Sequence, residues 1–240
     1  MDVSLITPRC RMLTGNVYTE IGQVEALHLR PSLRDLPRAV SNAVAVTDVG
    51  LEGDAHAHHL SLRQLLLAGS PAYAGLRLPP HALRENLLLD ADTAGLASGT
   101  VLAVGDEALL WLTFQCEACG QLNVHLDGAT RRIGAQRGML ARVLRGGNIA
   151  TGDIVRDTGR RMPVWSDHWK ERVVKVLDAV PPGAVIEYRQ LAWLAGIAAS
   201  YCRVFPRFLR ELGPAYAALA VSMHDATAKP RWQGEGLHDI

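Results

Sequence analysis

The chain has 240 residues, 48% of them hydrophobic and 20% charged, with a formal net charge of +1. That length accommodates two cores of ordinary size, and the near-neutral balance excludes a global pull toward nucleic acid or an anionic membrane, so any such binding must be local. No run approaches the ~18 uninterrupted apolar residues of a membrane-spanning helix, and residues 1–25 lack a basic stretch followed by an apolar one; a cytoplasmic protein without a membrane partner is expected.

Residues 1–19 read as an N-terminal extension. Residues 22–30 alternate polar and apolar as a half-buried strand does, and Pro31 ends them. Residues 43–46 form a second β-like run that leads into Val49–His59. Gly50 and Gly53 there imply a bent backbone, with Asp54 and His56 projecting at its edge. The leucine run after Arg63-Gln64, followed by Pro71, predicts a strand and a short helix. Residues 84–89, 99–105 and 108–114 read as strands separated by turns. Residues 137–144 and 148–155 read as a closing hairpin around Gly146-Gly147. Short strands at this spacing predict a mostly β barrel with a few helices over residues 20–157.

The pattern then changes. Residues 158–163 read as a linker, and residues 164–240 as a small α+β domain. A helix is predicted over 167–179, with Val173, Val174, Val176 and Leu177 near one stripe. Pro181-Pro182-Gly183 stops it. A short strand over 185–188, a helix over 189–195, a helical stretch over 200–212 and a β-like run over 216–221 follow the order of a winged helix. Residues 161–240 carry ten Lys and Arg against eight Asp and Glu. That excess is too small to argue for nucleic-acid binding from charge.

Of the four cysteines, Cys10, Cys116, Cys119 and Cys202, only Cys116 and Cys119 are close in sequence, at the end of the hydrophobic run from Val101. Two thiolates with imidazoles from His56, His58 and His59 suit zinc, but those three histidines cannot all face one ion in an extended segment, and no second Cys-x-x-Cys follows. No metal is expected. The other readings are a thiolate nucleophile activated by Arg63, His56 or Arg137, and a small buried residue at a strand end, the latter fitting Cys116 better than Cys119.

The motifs from Gly22–Pro31 through Gly50-Leu51-Glu52-Gly53-Asp54-x-His56, Arg63-Gln64, Arg84-Glu85-Asn86-Leu87, Gly99-Thr100-x-Leu102-x-Val104-Gly105, Glu117-Ala118-Cys119-Gly120-Gln121-Leu122, Arg137-Gly138 and Gly147-x-Ile149-x-x-Gly152-Asp153 resemble a MOSC domain, the type named for the C-terminal domain of molybdenum cofactor sulfurases. The resemblance implies a sulfur carrier, or a sulfurtransferase or other activity linked to molybdenum cofactor, with a persulfide on Cys119. Arg63, Arg137, Asn86 and Gly53 are then expected to hold an anionic pterin phosphate transiently, with Asp54 and His56 orienting it or relaying protons. The implied partners are a molybdoenzyme or a cysteine desulfurase, with pyridoxal phosphate carried only by that desulfurase. Cys116 stands where the family commonly has arginine, and Ala118 where it has proline. The extra thiol suggests that Cys116 resolves an oxidised Cys119 by forming a disulfide.

Residues 164–240, through Pro182-Gly183-Ala184-Val185-Ile186-Glu187-Tyr188-Arg189, Ala195-Gly196 and Tyr201-Cys202-Arg203-Val204, resemble the DNA-binding domain of alkylguanine-DNA alkyltransferases and alkyltransferase-like proteins. That implies a nucleic-acid interface at Tyr188, Arg203 and Arg207, and the alternative function of a DNA-lesion sensor with the barrel as accessory. Met223 occupies the nucleophile's place; a thioether forms no thiolate, so the chain is not expected to be an active alkyltransferase. Pro206 falls within the expected recognition helix, where it is expected to break or kink it.

Overall fold

In the computed structural model, which describes residues 10–13, 16–117, 122 and 133–238, the alternating stretch after Asn16 becomes the long strand β2 (Asn16–Leu29), paired as a hairpin with β1 (Cys10–Leu13). Such length lets β2 serve several neighbours in turn. It pairs with β12 (Ile154–Arg161) near its middle, then with β7 (Leu87–Leu89), and at its end with β3 (Arg38–Val40). From β12 the sheet continues through β8 (Thr100–Val104), β9 (Ala108–Gln115), β10 (Met139–Arg145) and β6 (Leu65–Gly69) to β7, and so back to β2. Seven strands therefore close on themselves. Closure removes the open edges that an exposed sheet would present.

Inside lie Leu27, Leu65, Leu87, Leu102, Leu110 and Val155, all essentially buried. Each contributes about 1.5–3 kcal/mol by leaving water. Around the ring all neighbours are antiparallel except β6 and β7. A parallel pair needs a crossover rather than a tight hairpin, and residues 70–86 provide it. The crossover begins with helix α1 (Ser70–Leu76), whose Pro71 sits in the first turn, and ends in a turn where His81 and Arg84 adopt positive φ of 64° and 55°. Residues 84–86, predicted as strand, belong to that turn.

The predicted closing hairpin does not form. While β10 pairs with β9 and β6, β11 (Gly147–Ala150) pairs with β4 (Asn42–Val46) in a separate sheet completed by β5 (Gly50–Leu51). Gly147, at φ 154° with Glu107 packed against the place of a side chain, turns the strand away. Residues 158–161, expected as linker, are the end of β12, which is paired as far as Arg161.

The chain divides into two compact units, Met1–His59 with Arg63–Trp165, and Leu60–Leu62 with Ser166–Ile240. The second unit contains α2 (Trp169–Asp178), β13 (Ile186–Glu187), α3 (Tyr188–Leu194), α4 (Phe205–Leu212), α5 (Pro214–Ala217) and β14 (Ala220–Val221). Val173, Val176 and Leu177 bury one stripe of α2. Pro206 does not break α4. It lies in the first turn, where its missing N–H costs nothing and its fixed φ suits helix initiation. The run 216–221 is likewise not one β segment, because Tyr216 and Ala217 finish α5. A wing is an antiparallel hairpin, whereas β13 and β14 pair in parallel, as does the single bridge from Val185 to Arg231. Among the described residues this unit therefore lacks the pairing of a winged helix.

Candidate anion site of the barrel unit

The second glycine of the Gly50–Gly53 bend adopts φ 77°, and a side chain there would meet no atom within 4 Å. Gly53 therefore answers a backbone requirement, a left-handed residue in a turn, with no crowding around it. The turn drives Asp54 inward. Expected at the edge of the bend, Asp54 is instead 6% exposed.

Each Asp54 oxygen receives two donors. Oδ2 accepts from the Arg30 backbone N–H and from Asn86 Nδ2, both at 2.9 Å. Oδ1 accepts from the His56 backbone N–H at 2.9 Å and lies 3.2 Å from His56 Nδ1. Arg30 Nη2 approaches both ring nitrogens, at 2.8 and 3.2 Å. Nδ1 is thus within reach of both the Asp54 carboxylate and the Arg30 guanidinium, and its proton decides which of them it serves. Burial works to raise the Asp54 carboxyl, but the hydrogen bonds from His56 and Arg30 outweigh it and hold the group below the usual carboxylate range.

Asn86 is the joint between this knot and the crossover turn. Its Nδ2 also donates to the His28 carbonyl, and its Oδ1 accepts from the Leu66 N–H. One residue earlier, the buried Glu85 accepts from Tyr73 of α1 at 2.7 Å, and the same hydroxyl accepts the Leu83 N–H. Burial, followed by the Glu85 carboxylate, pushes the Tyr73 phenol far up. His28 is also buried, with Nδ1 3.8 Å from Glu85 and its ring edge-on to His81. Burial lowers its pKa below the ordinary histidine value.

Around this framework gathers positive charge. Arg30 is pushed down, first by burial and then by the nearby guanidinium of Arg84, with Arg137 and Arg63 adding to the repulsion and Asp54 alone opposing it. Arg137 is 5% exposed and donates through Nη1 to the Leu83 carbonyl. The Nε atoms of Arg84 and Arg137 are buried and have no hydrogen-bond partner among the described residues. A buried donor left unpaired costs about 1–3 kcal/mol. Two such donors, on arginines whose charges both act on Arg30, are candidates to receive an acceptor of negative charge.

Of the residues expected from sequence, the structure brings together Asp54, His56, Asn86, Arg63 and Arg137. Gly53 shapes the bend that presents them. Cys119 lies outside the described residues. Cys116 is 4% exposed at the end of β9, its N–H bonded to the Gly138 carbonyl. Sequence reasoning missed Arg30, Arg84, Tyr73 and Glu85. The available signals were an arginine placed between a strand end and Pro31, and the quoted Arg84-Glu85-Asn86 run. Among the described residues no group of three or more His, Cys, Asp or Glu side chains is placed to hold a metal ion, and no helix is long and apolar enough to cross a membrane.

In the second unit, Tyr188 opens α3 half-buried, with its ring 5.9 Å from that of Phe205, and Arg203 and Arg207 are exposed. Arg207 pairs with Glu211 one turn along α4.

Residues 55–156 match the MOSC domain family, which covers the crossover, β8 to β11 and most of the site. No curated protein matches the chain significantly. Solved structures of similar shape include the YuaD protein of Bacillus subtilis, at 16% identity and TM-score 0.49 over 56% of this chain and 94% of that one. They also include YiiM from Escherichia coli, at 17% identity and TM-score 0.45 over 77% and 91%. YiiM from Geobacillus stearothermophilus aligns at 15% identity and TM-score 0.45 over 85% and 95%.

Proposed function

We propose that the barrel unit is a sulfur carrier that works with molybdenum cofactor, and that its arginine cluster holds the anionic end of that cofactor during transfer. The observation that carries this reading is the pair of buried guanidinium Nε atoms, on Arg84 and Arg137, left without acceptors among the described residues. Guanidinium matches phosphate geometry, and a buried positive cluster with unspent donors fits a phosphate better than it fits a neutral ligand. Arg30, Arg63, Arg84 and Arg137 would hold the phosphate, while Asp54, His56 and Asn86 keep Arg30 and the turn in place. The cofactor supplies the metal centre to which sulfur is delivered.

Cys119 is the proposed carrier. Its thiolate attacks the terminal sulfur of a persulfide on a partner cysteine desulfurase; the partner's S–S bond breaks, its cysteine leaves as thiolate, and Cys119 holds the new S–S bond. Mass spectrometry of the purified chain after incubation with a desulfurase and free cysteine tests this. A gain of one sulfur that disappears in Cys119→Ser is expected. A gain that survives the substitution would overturn the assignment. In the same assay Cys116→Ser reports the resolving role: where Cys116 attacks the inner sulfur of the Cys119 persulfide, hydrosulfide leaves and the gain of one sulfur gives way with time to a Cys116–Cys119 disulfide, whereas the variant keeps the added sulfur.

A second reading, lesion or nucleic-acid binding by the second unit, draws on Arg203, Arg207 and Arg210 exposed on and before α4, next to the exposed Val204. Electrophoretic shifts with alkylguanine duplexes at low salt, where phosphate contacts are strongest, decide it.

A further inference from the structure

The hairpin loop from β2 to β3, residues 31–37, is bounded by Pro31 and Pro37 and carries two leucines in water: Leu33 is 61% exposed and Leu36 75%. Inside the loop, the Asp35 N–H reaches the Ser32 carbonyl and the Arg34 N–H lies 3.3 Å from the Ser32 hydroxyl. Its tie to the barrel comes from Arg84, whose Nη2 donates to the Asp35 carbonyl at 2.9 Å and to the Leu33 carbonyl at 3.3 Å. Arg84 thus belongs to two structures at once. One edge of its guanidinium holds the loop, and its Nε is one of the two buried donors without an acceptor.

We propose that residues 31–37 are a strap whose order is coupled to an oxyanion through Arg84. Rotating out of its place would give the Arg84 Nε access to water, so with no anion present this unpaired donor favours release of the strap. An oxyanion at Nε removes that incentive and leaves both Nη2 bonds on the strap carbonyls. Coupling of this kind is reciprocal: the anion steadies the strap, and the strap keeps Arg84 aimed for the anion. Steadying it also holds Leu33 and Leu36 more firmly in their exposed positions while the anion is bound. The inference rests on the reading of the arginine cluster as an oxyanion site.

Hydrogen–deuterium exchange of the full chain, with inorganic pyrophosphate as the probe, tests it alongside calorimetric titration of the same sample. Exchange at Leu33, Arg34, Asp35 and Leu36 is expected to slow at least about threefold at saturation. Arg84→Lys keeps a charge but has neither the fork nor Nε; it should lose that protection even at pyrophosphate concentrations where binding heat is retained. Binding heat with unchanged or faster exchange in residues 31–37 overturns the strap while leaving the anion site standing. Absence of heat overturns the anion site and the coupling together. Anchorage is then judged separately, since Arg84→Gln without any anion must speed exchange in the strap and not in α2.

Discussion

Arg172 and Arg137, a buried arginine from each unit, are used in opposite ways. Arg172 in α2 is 1% exposed, and its Nε donates to the Ala195 carbonyl while Nη1 donates to the Ser166 and Asp167 carbonyls, all at 2.8–2.9 Å. It ties the start of its own helix to the end of α3. Arg137 is almost as deeply buried but gives one carbonyl a hydrogen bond and leaves Nε with no partner among the described residues. Burial of a cation is therefore not by itself a sign of function. What separates a strut from a binding group is whether its donors are used up.

Substitutions sharpen that contrast. Arg172→Met removes the charge-assisted bonds to the Ser166, Asp167 and Ala195 carbonyls. Thermal unfolding should show a loss of about 3 kcal/mol or more, with pyrophosphate binding by the barrel unit unchanged. Asp54→Asn is next, at about 2 kcal/mol, because it strips Arg30 of its one opposing charge. Its pH signature has a definite sign. The folded carboxyl lies below its ordinary value of about 3.9, so the stabilisation is fully present above that pH and lost as pH falls through the folded value. In the variant the part of the acid limb that Asp54 contributes, below about pH 4, should disappear. Arg137→Met is the mildest for the fold, at about 1 kcal/mol for the single bond to Leu83, yet it should weaken pyrophosphate at least about tenfold by calorimetry. A large stability loss with intact anion binding would make Arg137 a second strut and erase the contrast.

Much of the barrel was legible because its strands carry their evidence locally. Period-two alternation and glycine turns mark β2, β8 and β9 without reference to anything distant. The pairing of β11 with β4 was not legible, since it joins residues about a hundred positions apart and local pattern says nothing of partner choice. Pro206 misled for a related reason. Proline forbids a helix interior but favours a first turn, and only the true start of α4 at Phe205 decides which rule applies. Asp54, His56 and Asn86 stood out by residue type and context, whereas Arg30 and Arg84 look like ordinary surface arginines until the turn and the strand end are brought together.

The single parallel pair in the barrel sets where the chemistry can reside. Had β6 and β7 run antiparallel, two residues would have joined them. Because they run side by side in the same direction, the chain must travel the length of the barrel and return, and residues 70–86 are the extra length so required. Tyr73, Arg84, Glu85 and Asn86 all lie on or immediately after that return path. A topological necessity at one seam thus supplies a ledge on which a site can be assembled, on a wall otherwise built of paired strands. Redesigns that shorten the crossover should lose the site before they lose the barrel.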